Sequence, residues 1–485
     1  MQLLLKLKSF YSVIKKATYI FFFTVLLCFS ATCVNAQLPL KLPDLLSDHA
    51  VLQKDTVVRL WGKGPGSFEL KIILSWQPDD TVRVKIGPEC TWSVPVRTAA
   101  EKGPHAITFI CGNEVKKIND ILLGDVWLCA GQSNMEYNYS WGIDKNDPAY
   151  QVVPNDEIRF FAVEQNYDDI PVSECRGKWI KCDAAGASSF STVGYFFAKN
   201  IQQKIRDAVG MIGAYWGGTN IQAWMPAEDF AEPGMKQSVA YIEPYGWAPK
   251  GVSSLYNTMI YPLKNYRIKG CIWYQGEANV DWDWNRYAKL LDKMVRSWRN
   301  TFQTQFPFYA VEIAPWNGYG KLRAAALREQ IQEAARRIPA FGSVGIADLV
   351  TDTADIHPAR KKEVGLRLAD LVLKEVYHAN DLLPYPPSII NVRFKGRSAL
   401  ADLKSVGALK LNGAAISGFE LAGADSVFYP ASARLVNGNR LEISADKVAA
   451  PTALRYCFEN ASVPDLFDQT GLPLKQFRTD KYPIY

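Results

Sequence analysis

The pattern of apolar and polar positions divides the chain into a leader and three regions. Between residues 37 and 120, short segments such as TVVRLWGKG and TVRVKI alternate apolar with polar residues, and Gly, Pro and Asp separate them. An alternation with period two is typical of half-buried strands joined by turns. This region is therefore predicted to be an antiparallel β domain of the sandwich type.

Between residues 121 and 383 the pattern changes to strongly apolar segments that alternate with helical ones. DVWLCAG, VGMIGAYWGG and KGCIWYQGE are apolar over the length of a strand, which is typical of parallel strands that are buried on both faces. Helices are predicted over 193–205, 284–298, 322–337 and 361–377. We expect an α/β fold with a doubly wound, mostly parallel sheet, whose ligand site lies at the carboxyl ends of the strands. The last region, 384–485, is again predicted to be β-rich.

The first 36 residues have the pattern of a secretory signal peptide. Four lysines and no acidic residue accompany an apolar run over 19–34, and Val34-Asn35-Ala36 resembles a small-residue cleavage site. A membrane anchor is the alternative, but the run is short for a bilayer. We expect cleavage after Ala36 and a periplasmic or secreted protein without a membrane span.

Charge and cysteine content exclude some classes of function. The net charge of +6 falls to about +2 without the leader lysines, which gives no indication of nucleic-acid binding. Seven of the nine cysteines lie beyond the leader, and no C-x-x-C pair is present, which argues against a zinc site. Cys175 and Cys182 could form a disulfide in an oxidising compartment or remain buried thiols.

The segment GDVWLCAGQSNMEY contains a candidate nucleophile. Its apolar strand ends directly at Gly131-Gln132-Ser133-Asn134. Ser133 could be a solvated hydroxyl or a cap, but Gly131 allows a tight turn, and the amides of Gln132 and Asn134 are suited to orienting a substrate or an oxyanion. The G-x-S-x-G elbow of α/β-hydrolases is not satisfied, because Met135 occupies the second glycine position.

A serine nucleophile needs a base, and one of four histidines has a suitable place. His357 follows the predicted strand in FGSVGIADL and precedes a helix, whereas His49, His105 and His378 do not follow such a strand. Asp355 lies two residues before His357 and is the candidate orienting acid.

Two further segments end predicted strands with polar residues. In WYQGEAN, the Gln275 amide could donate to an oxyanion, Glu277 is an alternative partner for the histidine, and Asn279 could contact substrate. The alternative without a functional role is that this segment is a surface turn.

The segment YWGGTNIQAW offers backbone donors and an aromatic ring. Gly217 and Gly218 follow a predicted strand and would expose N–H groups of the kind that an oxyanion hole uses. Trp224 is a candidate platform for a sugar ring, although most tryptophans pack in cores.

Together these segments resemble the bacterial sialate O-acetylesterases, a branch of the SGNH hydrolase superfamily. The resemblance extends over nearly the whole mature chain and includes LLSDHAVLQKD, FSTVGYFFAKNI, DIHPARKKEVGLRLAD and GLPLKQFRTD. It implies an SGNH-like α/β fold with Ser133 as nucleophile and His357 as base. It also implies an oxyanion hole formed by the N–H of Ser133, a glycine of Gly217-Gly218 and the Gln275 amide.

One position departs from the pattern of the superfamily. The acid usually lies three residues before the histidine, and Ala354 occupies that position here. Asp355 is therefore the nearest candidate, Glu277 remains an alternative, and a backbone carbonyl could also orient the histidine.

The resemblance implies a secreted carbohydrate O-acetylesterase that needs no metal or cofactor. Its substrate would be an O-acetylated sugar, with sialic acid first and xylan or pectin as alternatives. A non-catalytic glycan-binding protein is the competing class, since fold alone does not determine function. The segment 228–251 is expected to border the pocket.

Overall fold

The structure is a computed structural model that describes residues 38–143, 147–239, 248–320 and 322–484. The predicted signal peptide and its cleavage site lie outside these residues, as does part of the segment 228–251. The strands are β1 (Val51–Gln53), β2 (Val57–Lys63), β3 (Glu69–Leu74), β4 (Thr81–Lys85), β5 (Thr91–Arg97), β6 (His105–Cys111), β7 (Glu114–Gly131), β8 (Asn155–Val163), β9 (Gly177–Cys182), β10 (Ala208–Tyr215), β11 (Gly270–Tyr274), β12 (Phe308–Val311), β13 (Phe341–Val344), β14 (Ser388–Lys395), β15 (Ser398–Lys404), β16 (Lys410–Leu411), β17 (Ile416–Ala422), β18 (Phe428–Asn437), β19 (Arg440–Ser444), β20 (Ala453–Tyr456), β21 (Leu466–Phe467) and β22 (Phe477–Arg478). The α-helices are α1 (Ser133–Glu136), α2 (Ala184–Ser189), α3 (Thr192–Ile205), α4 (Tyr287–Thr301), α5 (Arg323–Arg337) and α6 (Lys361–Glu375).

A mostly parallel sheet forms the centre of the molecule. Its strand order is β13-β12-β11-β7-β10-β8-β9, and only the β8–β9 pair is antiparallel. In β7, Val126, Leu128 and Ala130 face one apolar cluster, while Trp127 and Cys129 face another. Helices α4 and α5 cover the first face, and α3 and α6 cover the second. The predicted doubly wound α/β fold is confirmed.

The two β regions flank this sheet. In the N-terminal region, β6 pairs with the first half of β7, β3 lies between β6 and β4, and β2 pairs with β5. Strand β7 runs unbroken from 114 to 131 and therefore crosses the predicted domain boundary at 120/121. The division into domains stays a prediction. The C-terminal region is an antiparallel sheet of order β14-β15-β19-β18-β17-β20-β22 with its own apolar core.

Helix boundaries follow local capping more than apolar periodicity. Helix α3 begins at Thr192, one residue before the predicted start, because the Ser191 hydroxyl accepts a hydrogen bond from the Gly194 N–H at 3.1 Å. Helix α4 begins at Tyr287 rather than Trp284, since a 3₁₀ turn that follows the left-handed Asp283 precedes it.

The structure bears on the pairing of two cysteines, whereas the membrane-anchor alternative falls in the leader, outside the described residues. Cys175 and Cys182 are both unpaired and buried, and burial raises the pKa of each thiol to about 12. Across 38–143, 147–239, 248–320 and 322–484, no helix is long and apolar enough to cross a membrane. The same residues contain no cluster of His, Cys, Asp and Glu that could hold a metal ion.

Candidate active site

Three neighbouring strands end level with one another at the carboxyl edge of the sheet. Gly131 at the end of β7 pairs with Tyr215 of β10 on one side and with Tyr274 of β11 on the other. The next strand after β7 in the chain lies on the β10 side, whereas β11 to β13 lie on the opposite side. The end of β7 is therefore the topological switch point, where open α/β sheets form ligand sites.

Gly131 makes the turn from β7 into the nucleophile segment possible. Its φ is +144°, and a Cβ atom at this position would lie 2.1 Å from the Tyr274 carbonyl oxygen. The Gln132 N–H donates to that carbonyl at 3.0 Å, and the chain then enters α1, whose first residue is Ser133. Glycine is required because any side chain would collide with β11.

Ser133 and His357 meet although 224 residues separate them. His357 Nε2 lies 2.9 Å from Ser133 Oγ, and Ser133 keeps 9% of its surface exposed. The histidine lies in the loop between β13 and α6, and its ring packs edge-on against Trp141 at a centroid distance of 5.9 Å. Elsewhere, His49 pairs with Asp120 at 2.7 Å in the N-terminal β region.

The two candidate acids occupy different environments. Asp355 is exposed, and its Oδ1 accepts the backbone N–H of His357 at 2.8 Å. Glu277 is buried, and its Oε1 accepts the Asn134 amide at 2.5 Å. No described residue accepts a hydrogen bond from His357 Nδ1. Burial lowers the pKa of His357, the Lys361 charge lowers it further, and the Asp355 charge opposes both.

The predicted oxyanion donors differ in whether their hydrogen atoms are already used. The Gly217 N–H donates to Glu136 Oε2 at 2.7 Å. Within the described residues, the N–H groups of Ser133 and Gly218 have no acceptor. Gly217 lies beside Ser133: a Cβ added to the glycine would be 3.2 Å from Ser133 Cβ. The N–H groups of Ser133 and of the residue after Gly217 are thus without an acceptor among the described residues.

The Gln275 amide is part of a buried network that joins the three strand ends. The two hydrogens of its Nε2 are shared among three acceptors within bonding distance: Gln132 Oε1 at 3.0 Å, the Thr219 carbonyl at 3.1 Å and Asn279 Oδ1 at 2.9 Å. Its Oε1 accepts the Tyr287 hydroxyl at 2.6 Å. All the polar atoms of this amide are bonded within the protein, which stabilises the loops rather than leaving a donor free.

The predicted substrate contacts are mostly covered. Asn134, Asn279 and Trp224 are each 0% exposed, and their polar atoms bond to protein groups. Gln132 is 3% exposed. Its Nε2 bonds to no described residue and is not among the fully buried unpaired atoms, so it can reach solvent. The geometry therefore favours a structural role for Asn134, Asn279 and Trp224, which hold the loops in place. Gln132 keeps an unpaired donor.

Three residues near the pair were missed by the sequence analysis. Glu136 holds the Gly217 N–H, Lys361 is buried behind Asn134, and Trp141 is 39% exposed beside His357. Glu136 and Trp141 lie close to Ser133 in the chain, so proximity was the only available signal. Lys361 resembled an ordinary basic residue at a helix start.

Comparisons with known proteins identify related carbohydrate esterases. Residues 123–374 match the family described as carbohydrate esterase, sialic acid-specific acetylesterase. The crystal structure of a carbohydrate acetylesterase from Xanthomonas citri superposes with a TM-score of 0.82 at 31% identity, covering 91% of this chain and 100% of that one.

Curated proteins are more distant. Human sialate O-acetylesterase is 28% identical over 308 residues, which are 58% of this chain and 58% of the human protein. The mouse sialate O-acetylesterase is 26% identical over 409 residues, 71% of this chain and 75% of that protein. The chain thus spans little more than half the length of the human relative that it matches.

Proposed function

Because the chain belongs to the carbohydrate esterase family of sialic acid-specific acetylesterases, we propose that it hydrolyses acetyl esters on sugars with Ser133 as nucleophile and His357 as base. The observation that carries this proposal is the 2.9 Å contact between Ser133 Oγ and His357 Nε2 at the switch point of the sheet. A buried hydroxyl that touches an imidazole is the arrangement that nucleophilic acyl transfer requires.

The reaction follows from this contact. Neutral His357 accepts the Ser133 proton at Nε2 while Oγ attacks the acetyl carbonyl carbon, and the imidazolium then returns the proton to the departing sugar oxygen. In the second half, His357 removes a proton from water, the hydroxide attacks the acetyl-serine, and acetate leaves as Oγ regains its proton. Because its pKa is lowered, His357 stays neutral to a lower pH than an ordinary histidine does.

The negative charge of the tetrahedral intermediate needs preorganised donors. We assign the backbone N–H groups of Ser133 and Gly218 to this role, since neither donates to a described residue. Glu136 supports the second donor, because its carboxylate holds the preceding Gly217 N–H and is itself bonded by Gln165 Nε2 at 3.0 Å. Gln132 Nε2 is a further donor at the site.

Asp355 is proposed as the acid that stabilises the imidazolium, in preference to Glu277. Asp355→Asn is expected to lower kcat about 10-fold or more, because the amide still accepts the His357 N–H but loses the charge. Glu277→Gln should have a smaller effect, since its Oε1 can still accept from Asn134. Steady-state kinetics of the two variants compares them, and a larger loss in Glu277→Gln would transfer the role to Glu277.

The substrate is proposed to be an O-acetylated sugar, most specifically an O-acetylated sialic acid. The half-exposed ring of Trp141 borders His357, and Trp216 packs edge-on against Tyr167 next to the Gly217 loop. Aromatic rings near the serine and the histidine suit the apolar face of a sugar ring. Together with the predicted leader, this favours a secreted enzyme that acts on glycans.

The test is acetate release by the purified mature protein. An O-acetylated sialic acid, an acetylated xylan and a chromogenic acetate ester are compared under the same conditions, with acetate measured enzymatically. We expect the fastest release from the sialic acid. A preference for xylan would change the proposed substrate and leave the proposed reaction standing. Glycan binding without acetate release from any substrate would contradict the proposed esterase activity.

A further inference from the structure

Lys361 is a buried lysine next to the candidate site, and the proposed reaction does not use it. It begins α6, four residues after His357, and its side chain is 0% exposed. Its ammonium donates to Asn134 Oδ1 at 2.6 Å and lies over the rings of Tyr137 and Tyr274, at 4.8 and 5.7 Å from their centroids. Removing an ammonium from water costs several kcal/mol unless partners compensate.

The partner of this ammonium, Asn134, follows the nucleophile directly. Its Nδ2 donates to Glu277 Oε1 at 2.5 Å and to the backbone carbonyl of Ile356 at 3.1 Å. Ile356 precedes His357, so one side chain ties the nucleophile helix to the histidine loop. An ammonium can only donate hydrogen bonds. Lys361 therefore prevents the Asn134 amide from flipping and keeps Nδ2 directed at Ile356.

Several charged or titratable groups face His357. The Asp355 carboxylate lies in the same loop, Lys361 approaches from α6, and Ser133 and Tyr137 approach from α1 and its end. The buried Glu277 faces the far side of the Asn134–Lys361 contact. A positive charge beside the imidazole disfavours the imidazolium, so Lys361 lowers the pKa of His357.

We propose that Lys361 is a positioning residue of the reaction: through Asn134 it holds the His357 loop against the nucleophile, and through its charge it keeps the imidazole unprotonated. This inference rests on the proposed roles of Ser133 and His357. Burial lowers the pKa of Lys361 to about 7. Lys361 is therefore charged below that pH. This is the range in which His357 would be protonated, so the charge acts where it can keep the imidazole neutral.

The test is the dependence of kcat/KM on pH in variants of Lys361. Lys361→Met removes charge and hydrogen bond together, and we expect a plateau about 10- to 100-fold lower, as misplaced catalytic groups cause. Because the base must be neutral, a higher His357 pKa moves the acidic limb upward by about one pH unit. Lys361→Gln removes the charge but keeps a donor, so it should shift the limb equally with a smaller loss at the plateau.

The matched control is Lys362→Met, on the same helix with a partly exposed side chain whose ammonium lies 5.8 Å from the Phe196 ring. It should leave both the plateau and the acidic limb unchanged. An acidic limb in Lys361→Met and Lys361→Gln that coincides with that of the control would overturn the inference, whatever the plateau.

A second measurement does not depend on activity and separates this inference from the proposed function. The ring protons of His357 can be titrated by NMR in wild type and in Lys361→Gln, with assignment through loss of the signal in His357→Asn. A higher pKa of His357 in Lys361→Gln supports the role of Lys361 even if no acetylated sugar is hydrolysed or if Lys361→Met fails to fold. Equal pKa values contradict the role.

Discussion

Ser133→Ala is expected to reduce kcat/KM for acetyl ester hydrolysis by about 10⁴-fold or more, which is the usual effect of removing a catalytic serine. Without Oγ no acetyl-enzyme can form, and the remaining donors can only assist direct attack by water. The fold should be retained, because Ser133 Oγ has His357 as its hydrogen-bond partner among the described residues and its removal leaves the amide network of Gln132 and Gln275 intact.

A nearby serine provides the control for this variant. Ser140 is exposed in a 3₁₀ turn seven residues later, and its hydroxyl bonds only to Asn138 among the described residues. Ser140→Ala should retain the wild-type rate. The comparison combines acetate release with thermal unfolding, so that loss of rate in Ser133→Ala at an unchanged midpoint identifies the nucleophile. Comparable rates in the two variants would remove Ser133 from the mechanism.

His357→Asn is expected to cause a loss of similar size, about 10⁴-fold in kcat. The asparagine cannot take the Ser133 proton, so the hydroxyl remains a poor nucleophile at neutral pH. The fall in rate at acidic pH that protonation of His357 causes should also disappear. The residual rate should instead rise with hydroxide concentration, and the measurement is a pH–rate profile at saturating substrate.

The control for the histidine is His378→Asn. His378 is exposed just beyond α6 with a φ of +58°, a conformation that asparagine also adopts with little strain. This variant should keep both the rate and the acidic limb of wild type. Because Ser133 and His357 act as a unit, the double variant should be no slower than either single variant. Additive losses would mean that the two side chains act in separate steps.

The local pattern of the sequence determined the fold class and the position of the chemistry. Apolar segments of strand length between amphipathic helices predicted a parallel sheet, and alternation with period two predicted the flanking β regions. Ser133 and His357 could be singled out because each follows an apolar segment, and parallel sheets collect such positions at one edge. These features are local, since they depend on periodicity within a few residues.

Tertiary structure alone decided which polar groups near Ser133 stay without a protein partner and which bond to one another. Gln275, Asn134 and Asn279 follow strands just as Ser133 does, yet their amides bond to protein groups: Gln275 bonds to Asn279, and Asn134 bonds to Glu277 and Lys361. Lys361 acquires its environment from Tyr137 and Tyr274 on other elements. Strand order and register set these encounters, and both result from packing between segments that are remote in the chain, which no local spacing encodes.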